Sequence, residues 1–202
     1  DIAITFLSEK GFEEHITWNN LYEKVCKFSN YLKKLSLKKG DRVAAYVPNK
    51  IETIISFLAC AKNGIIWSSC SPDFGVQGVV DRFKQIEPKV LITSDYYFYN
   101  GKKINILDKV DEVIKQIPSI EKVIVYSYYK NEKENLKNFI DFEEALNIES
   151  DETFERFEFN HPIYILFSSG TTGKPKCITH GTGNVLIEHN KEFMLHCDIR
   201  DN

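Results

Sequence analysis

A chain of 202 residues that is 43% hydrophobic and 13% aromatic has the material to bury the core of one good-sized domain, which excludes an intrinsically disordered protein. Its 26 basic and 29 acidic residues leave a net charge of −3 without a single-sign block, so no electrostatic feature supports nucleic acid or a membrane surface as a partner. The cysteines (Cys26, Cys60, Cys70, Cys177, Cys197) have no CxxC spacing and read as reduced packing thiols of a cytosolic protein, and no run reaches the ~18 apolar residues of a membrane span.

In chain order, the segment TWNNLYEKVCKFSNYLKKL spaces Trp18, Leu21, Val25, Phe28, Leu32 and Leu35 for one face of a helix, with Thr17 as its N-cap. A Gly-Asp turn leads into a short buried strand at 43–47, which Pro48 ends. The run IETIISFLACAKNG predicts a helix stopped at Gly64, and IIWSSC a strand. Pro72-Asp73-Phe74-Gly75 makes a turn, VQGVVDRFKQIEP a third helix and KVLITSD a third strand. A hairpin or loop around Asn100-Gly101 interrupts the alternation, which resumes with a helix at 107–116 and the strand EKVIVYS.

Residues 129–160 are charged and weakly periodic, with one short helical piece at 142–146, and read as a surface connection within a single partial domain covering 1–202. PIYILF is then a strand, CITH a second, and GNVLIEHNKEFMLH a closing helix. Strands that are apolar nearly throughout, alternating with helices, predict an α/β fold: a mostly parallel, doubly wound sheet with helices on both faces.

The chemistry lies in YILFSSGTTGKPK. Ser168, Ser169, Thr171 and Thr172 offer hydroxyls, Gly170 and Gly173 permit positive φ, and Lys174 and Lys176 supply charge, a set suited to phosphate oxygens. With only Arg42, Arg82, Arg156 and Arg200 as arginines, phosphate contacts fall largely to lysines and backbone N–H groups. The Walker A pattern fails twice, at Ser168 where its first glycine belongs and at Pro175 where a magnesium-holding hydroxyl belongs. Gly181-x-Gly183 fails as a dinucleotide fingerprint at Leu186. On composition alone, a solvated surface turn explains the loop as well.

Taken whole, SSGTTGKPK resembles the signature loop of the adenylate-forming enzymes, the superfamily of acyl-CoA synthetases, luciferases and peptide-synthetase adenylation domains. TWNNLYEKVCKFSNYLKKLSLKKGDRVAAYVPN is similar to the stretch that leads into the first sheet of that superfamily. Three stretches, WSSCSPDFGVQGVVDRFKQIEPKVLI, YNGKKINIL and ITHGTGNVLIEHNKEFMLHCDI, resemble the acyl-CoA synthetases that take acetoacetate. The likeness covers nearly everything outside 127–160. It implies an acid–thiol ligase that uses ATP, CoA and Mg2+ on acetoacetate or a similar short carboxylic acid, with Ser168, Ser169, Gly170, Thr171, Thr172 and Gly173 around the β- and γ-phosphates and Lys174 and Lys176 supplying charge.

The same resemblance places the magnesium carboxylate, the acyl pocket and the catalytic lysine of a mobile C-terminal domain after this loop, so an excerpt without ligase turnover of its own is expected, and no catalytic or metal residue is assigned. The missing initiator Met fits that expectation. Another acyl-CoA synthetase, for acetate or a fatty acid, and a non-catalytic nucleotide-binding scaffold remain as alternatives. His180 faces a nucleotide or is a hydrogen-bonded structural histidine. His189 and His196, seven apart, share a helix face without a third metal ligand. Asp73, Asp81 and Arg82 form a turn and a helix-borne ion pair or shape a substrate entrance, and Cys70 and Cys177 pack rather than react.

Overall fold

A computed structural model of the chain describes residues 1–129, 139–169 and 173–200. An antiparallel hairpin, β1 (Ile2–Leu7) with β2 (Glu13–Thr17), precedes α1 (Trp18–Lys34). The hydroxyl of Thr17 caps that helix by accepting from the Asn20 amide at 3.3 Å. Leu21, Val25, Phe28 and Leu32 are buried as their spacing predicts. Trp18 is not: it is 62% exposed, because it is the first helical residue and stands beyond the layer that covers the later turns.

The centre is a seven-stranded sheet in the order β11-β10-β4-β3-β5-β8-β9. Its strands are β3 (Arg42–Tyr46), β4 (Ile66–Cys70), β5 (Val90–Ser94), β8 (Lys122–Tyr126), β9 (Ile140–Asp141), β10 (Pro162–Ser168) and β11 (Lys176–Gly181), and only β11 runs antiparallel to its neighbour. The side hairpin β6 (Tyr96–Tyr99) and β7 (Lys102–Asn105) turns at Asn100 and Gly101, both at positive φ (49° and 74°).

Alternation along β3 sends Val43, Ala45 and Val47 into a core with α1, α2 (Ile51–Lys62) and α5 (Phe142–Ala145). Ala44 and Tyr46 point to the opposite core, with α3 (Val76–Phe83) and α4 (Leu107–Gln116). Helices thus cover both faces, and the doubly wound sheet expected from the sequence is present.

Residues 139–161 do more than cross the surface. β9 adds a parallel edge strand beside β8, and Phe142 is fully buried with its ring 4.7 Å from that of Phe28. The following strap lies on α1 and α2: Lys33 pairs with Asp151 at 2.7 Å, Lys62 donates to the Thr153 carbonyl at 2.6 Å, and Lys39 pairs with Glu158 at 2.7 Å. Its end is fixed where His161 Nε2 donates to the Gly64 carbonyl at 2.9 Å. Gly64 sits at φ +64°, and a Cβ there would stand 2.6 Å from the Phe157 ring. A short hydrophobic cluster in a charged segment is a weak periodic signal, and the sheet edge gives it cover.

The last segment, α6 (Thr182–Lys191) running into a π-helical turn Glu192–His196, buries no residue. The change of helix type takes His189 and His196 off a common regular face; His189 lies by Phe193 and His196 lies 3.9 Å from Glu192.

Candidate functional site

β3 and β4 are adjacent and parallel, yet their chains leave in opposite directions, β3 into α2 on one face and β4 into α3 on the other. Such a divergence opens a crevice at the carboxyl ends of the strands, the usual ligand position in an open α/β sheet. Here a cavity of about 340 Å³ lies there, lined among others by Pro48, Asn49, Ser71, Asp73, Tyr97 and Tyr99. Its wall, the loop after β4, is tied down. The Tyr46 hydroxyl lies within 3.0 and 2.5 Å of the Pro72 and Phe74 carbonyl oxygens, and the Tyr97 hydroxyl donates to Asp73 at 2.8 Å. Burial pushes the Tyr46 phenol up to about 12, reinforced by Cys70 and Asp73; Tyr97 rises for the same first reason, then through its bond to Asp73. Both stay neutral donors at physiological pH.

Of the residues singled out in this stretch, Asp73 also accepts from Ser71 Oγ at 2.9 Å. The expected pair of Asp81 with Arg82 does not form. Neighbours in a helix diverge, so Asp81 accepts from Gln77 at 2.7 Å while Arg82 lies 4.1 Å over the Phe74 ring and donates to the Gly78 carbonyl.

The hydroxyl- and glycine-rich loop opens on the same edge of the sheet, because β10 is parallel to β4 and delivers it from its carboxyl end. Ser168 closes β10, paired with Lys176 at the start of β11. Ser169, Gly173, Lys174 and Lys176 are exposed, and Gly173 takes φ +155°, which a side chain resists. Gly170, Thr171 and Thr172 lie outside the described residues. The arrangement therefore presents two cations and at least two hydroxyls on an open edge beside the crevice, a geometry suited to a polyphosphate.

On the far side of the loop, Gln85 Nε2 donates to the Pro175 carbonyl at 2.9 Å and to the Asp81 carbonyl at 2.7 Å, while its Oε1 lies 3.7 Å from Cys177 Sγ. Sequence reading passed over Gln85, Tyr97 and Lys109, whose Nζ reaches the Pro72 carbonyl at 3.4 Å, because their partners are remote in the chain.

His180 is half-buried, its ring 4.8 Å from that of Tyr164, its partner across the β10–β11 ladder. Cys26, Cys60 and Cys70 are buried, the Cys70 thiol pushed up to about 12 by burial; Cys177 and Cys197 are exposed. Cys177 is thus not a packing residue: β11 is the sheet edge, and no further layer of the described residues covers it. Among the described residues there is no group of three or more His, Cys, Asp or Glu arranged for a metal ion, and no helix long and apolar enough to cross a membrane.

The model of the family described as AMP-binding enzyme matches residues 1–200. An acetoacetyl-CoA synthetase of Macaca fascicularis is 39% identical over 207 residues, 97% of this chain and 31% of that protein. One of Rhizobium meliloti (strain 1021) is 43% identical over 98% of this chain and 31% of its own length. A malonamoyl-CoA synthetase of Penicillium aethiopicum is 39% identical over 98% of this chain and 29% of its own length. The solved acetoacetyl-CoA synthetase from Streptomyces lividans superposes with a TM-score of 0.93 at 37% identity, over 98% of this chain and 30% of that one. The chain spans less than a third of the length of each of these relatives.

Proposed function

The chain belongs to the AMP-binding enzyme family, and from that premise we propose that the complete protein is an acid–thiol ligase that activates a short carboxylic acid with ATP and passes the acyl group to coenzyme A. The observation that carries this reading is the delivery of Ser168, Ser169, Gly173, Lys174 and Lys176 to the edge of the sheet that also holds the crevice. In the first step a carboxylate oxygen attacks the α-phosphorus, the bond to the bridging oxygen breaks, and pyrophosphate leaves with the electron pair. The thiol sulfur then attacks the acyl carbon and AMP departs. The charge that builds on departing pyrophosphate is the part these residues meet: Lys174 and Lys176 as cations, Ser168 to Gly173 through hydroxyls and backbone N–H groups. Gly170, Thr171 and Thr172 enter this assignment through the resemblance of the motif.

Magnesium would neutralise the triphosphate, but among the described residues no group of three or more His, Cys, Asp or Glu is arranged to hold it. The tied-down wall after β4 makes the crevice a second contact surface, suited to the acid or the thiol substrate. Acetoacetate and malonamate, the acids implied by the names of two relatives of equal identity, share a carbonyl one methylene away from the carboxylate. We assign the complete protein an acid of that shape, acetoacetate first, a cytosolic location, and no nucleic-acid or membrane partner.

ATP–pyrophosphate exchange by the complete gene product with acetoacetate, malonamate, acetate and butyrate tests the assignment. Exchange with the first two above the others is expected; a preference for acetate or butyrate overturns the acid, and no exchange with any overturns the ligase. The 202-residue chain alone, given ATP, Mg2+, acetoacetate and CoA, is expected to form no acetoacetyl-CoA above a Lys176→Ala control.

A further inference from the structure

We propose that Gln85, in the turn that follows α3, is a positioning residue for the phosphate loop: it fixes the exit of the loop and with it the stance of Lys174 and Lys176. The proposal rests on the reading of that loop as a phosphate clamp.

The two ends of the loop are held by different means. At the entrance the ladder itself does it, since Ser168 is the last residue of β10 with a partner on β11. At the exit stands Pro175, which has no N–H and offers the sheet only its carbonyl. That carbonyl is taken by Gln85 Nε2 at 2.9 Å. The second N–H of the same amide goes to the Asp81 carbonyl at 2.7 Å, one turn back on the helix, and the amide oxygen faces Cys177 Sγ at 3.7 Å. An amide has two donors and an acceptor, and all three are engaged. Gln85 is therefore a fixed strut and not a solvated arm, although it is exposed.

Its base is firm. Val79 and Phe83 on α3 are fully buried and Ile86 follows them into the same core, while the Arg42 guanidinium holds the Ile86 carbonyl at 2.6 Å. The strut acts on one peptide unit, the bond between Pro175 and Lys176, whose orientation sets the direction in which Lys176 leaves the backbone, and the fixed ring of Pro175 carries that constraint toward Lys174. Lys174 in turn borders a hollow of about 390 Å³ walled by Gln77, Asp81, Gln85 and Gln116. Holding two long, flexible cations near the place where charge develops reduces what must be ordered when the triphosphate binds.

A role confined to helix stability predicts a different outcome from a role in the loop. In the complete gene product, Gln85→Met keeps side-chain length and helix propensity and removes the amide. The loss of one such bond is expected to raise the KM for ATP and its calorimetric Kd roughly three- to tenfold. The KM for the acid should stay within about twofold of the parent, and the thermal midpoint within about 2 °C of it. Gln85→His, which returns an N–H four bonds from Cα, is expected to recover part of the affinity. An unchanged Kd and KM for ATP in Gln85→Met, with the parent active, overturns the proposal and leaves the clamp reading standing. A lowered midpoint with parallel losses for acid and ATP also overturns it, in favour of a structural role. A parent protein that neither binds ATP nor exchanges pyrophosphate overturns the clamp reading and this proposal together.

Discussion

In residues 42–126 every central strand is covered on both faces: Val43 and Ala45 on the side of α1 and α2, Ala44 and Tyr46 on the side of α3 and α4, all four fully buried. In residues 162–200 the same kind of apolar sequence stays open. Leu166 and Ile178 are each 44% exposed, Leu186 is 63% exposed, and α6 buries nothing. Both regions carry the periodicity of their elements, so the difference is not one of pattern. Periodicity says that a face seeks cover; it does not say that the chain in hand supplies it. The phosphate loop stands at the border, its base in the covered sheet and its lysines in the open hairpin.

The sharpest way to break this contrast is to attack the covered region at a deeply buried charge. The side chain of Lys50 is fully buried, paired with Glu14 at 2.8 Å and within 3.6 Å of Glu52, and it lies 4.7 Å from the Phe6 ring. It ties the β1–β2 hairpin to the start of α2. Lys50→Met keeps the stem and removes the cation, leaving two carboxylates in its place; a loss of about 3–5 kcal/mol in urea unfolding is expected. A loss below 1 kcal/mol means the hairpin is not part of the cooperative unit.

Next comes a matched pair. Leu91→Ala, at a fully buried site on β5, is expected to lose about 2–5 kcal/mol, whereas Leu186→Ala on α6 should stay within about 0.5 kcal/mol. Equal losses would show that α6 is packed as core and would erase the contrast between the regions.

That contrast also explains which parts of the molecule the sequence made readable. The helix Leu107–Gln116 and the Asn100-Gly101 hairpin follow from local signals: an amphipathic repeat, and a dipeptide that accepts positive φ. The β1–β2 hairpin escaped because its strands alternate weakly, with β1 half-covered on both sides and its register irregular. The short helix at 142–146 was readable and is α5, but the burial of Phe142 was hidden by the charges around it. For the site, the loop was legible as a motif, since its chemistry is written in consecutive residues. The devices that hold it were not. Gln85 meets Pro175 across 90 residues, Lys109 meets Pro72 across 37 and Tyr97 meets Asp73 across 24, and only the folded sheet brings them together.

The smallest expected effect concerns the strap that leads from the covered region to the open one. Lys33 and Thr153 hold the Asp151 carboxyl well below the usual carboxylate range, Lys33 first. A carboxyl that is a stronger acid folded than unfolded stabilises the fold at pH values above its unfolded pKa of about 3.9, and that contribution drains away as pH falls toward the folded value. Because Asp151 is partly open to solvent, screening keeps the contribution modest. The expected signature is therefore a difference rather than a collapse. The parent chain unfolds at higher urea than Asp151→Asn at pH 6, and the gap between them narrows as the pH is lowered from 5 toward 2.5. A gap that is the same at both ends would mean that the charge of Asp151 contributes nothing, and that the strap is held by Lys62 on the Thr153 carbonyl and by the Phe157 ring against His161, whose centroids are 4.9 Å apart. In that event the tie between the two regions is made by packing and backbone bonds, and high salt should leave the strap as firm as low salt does.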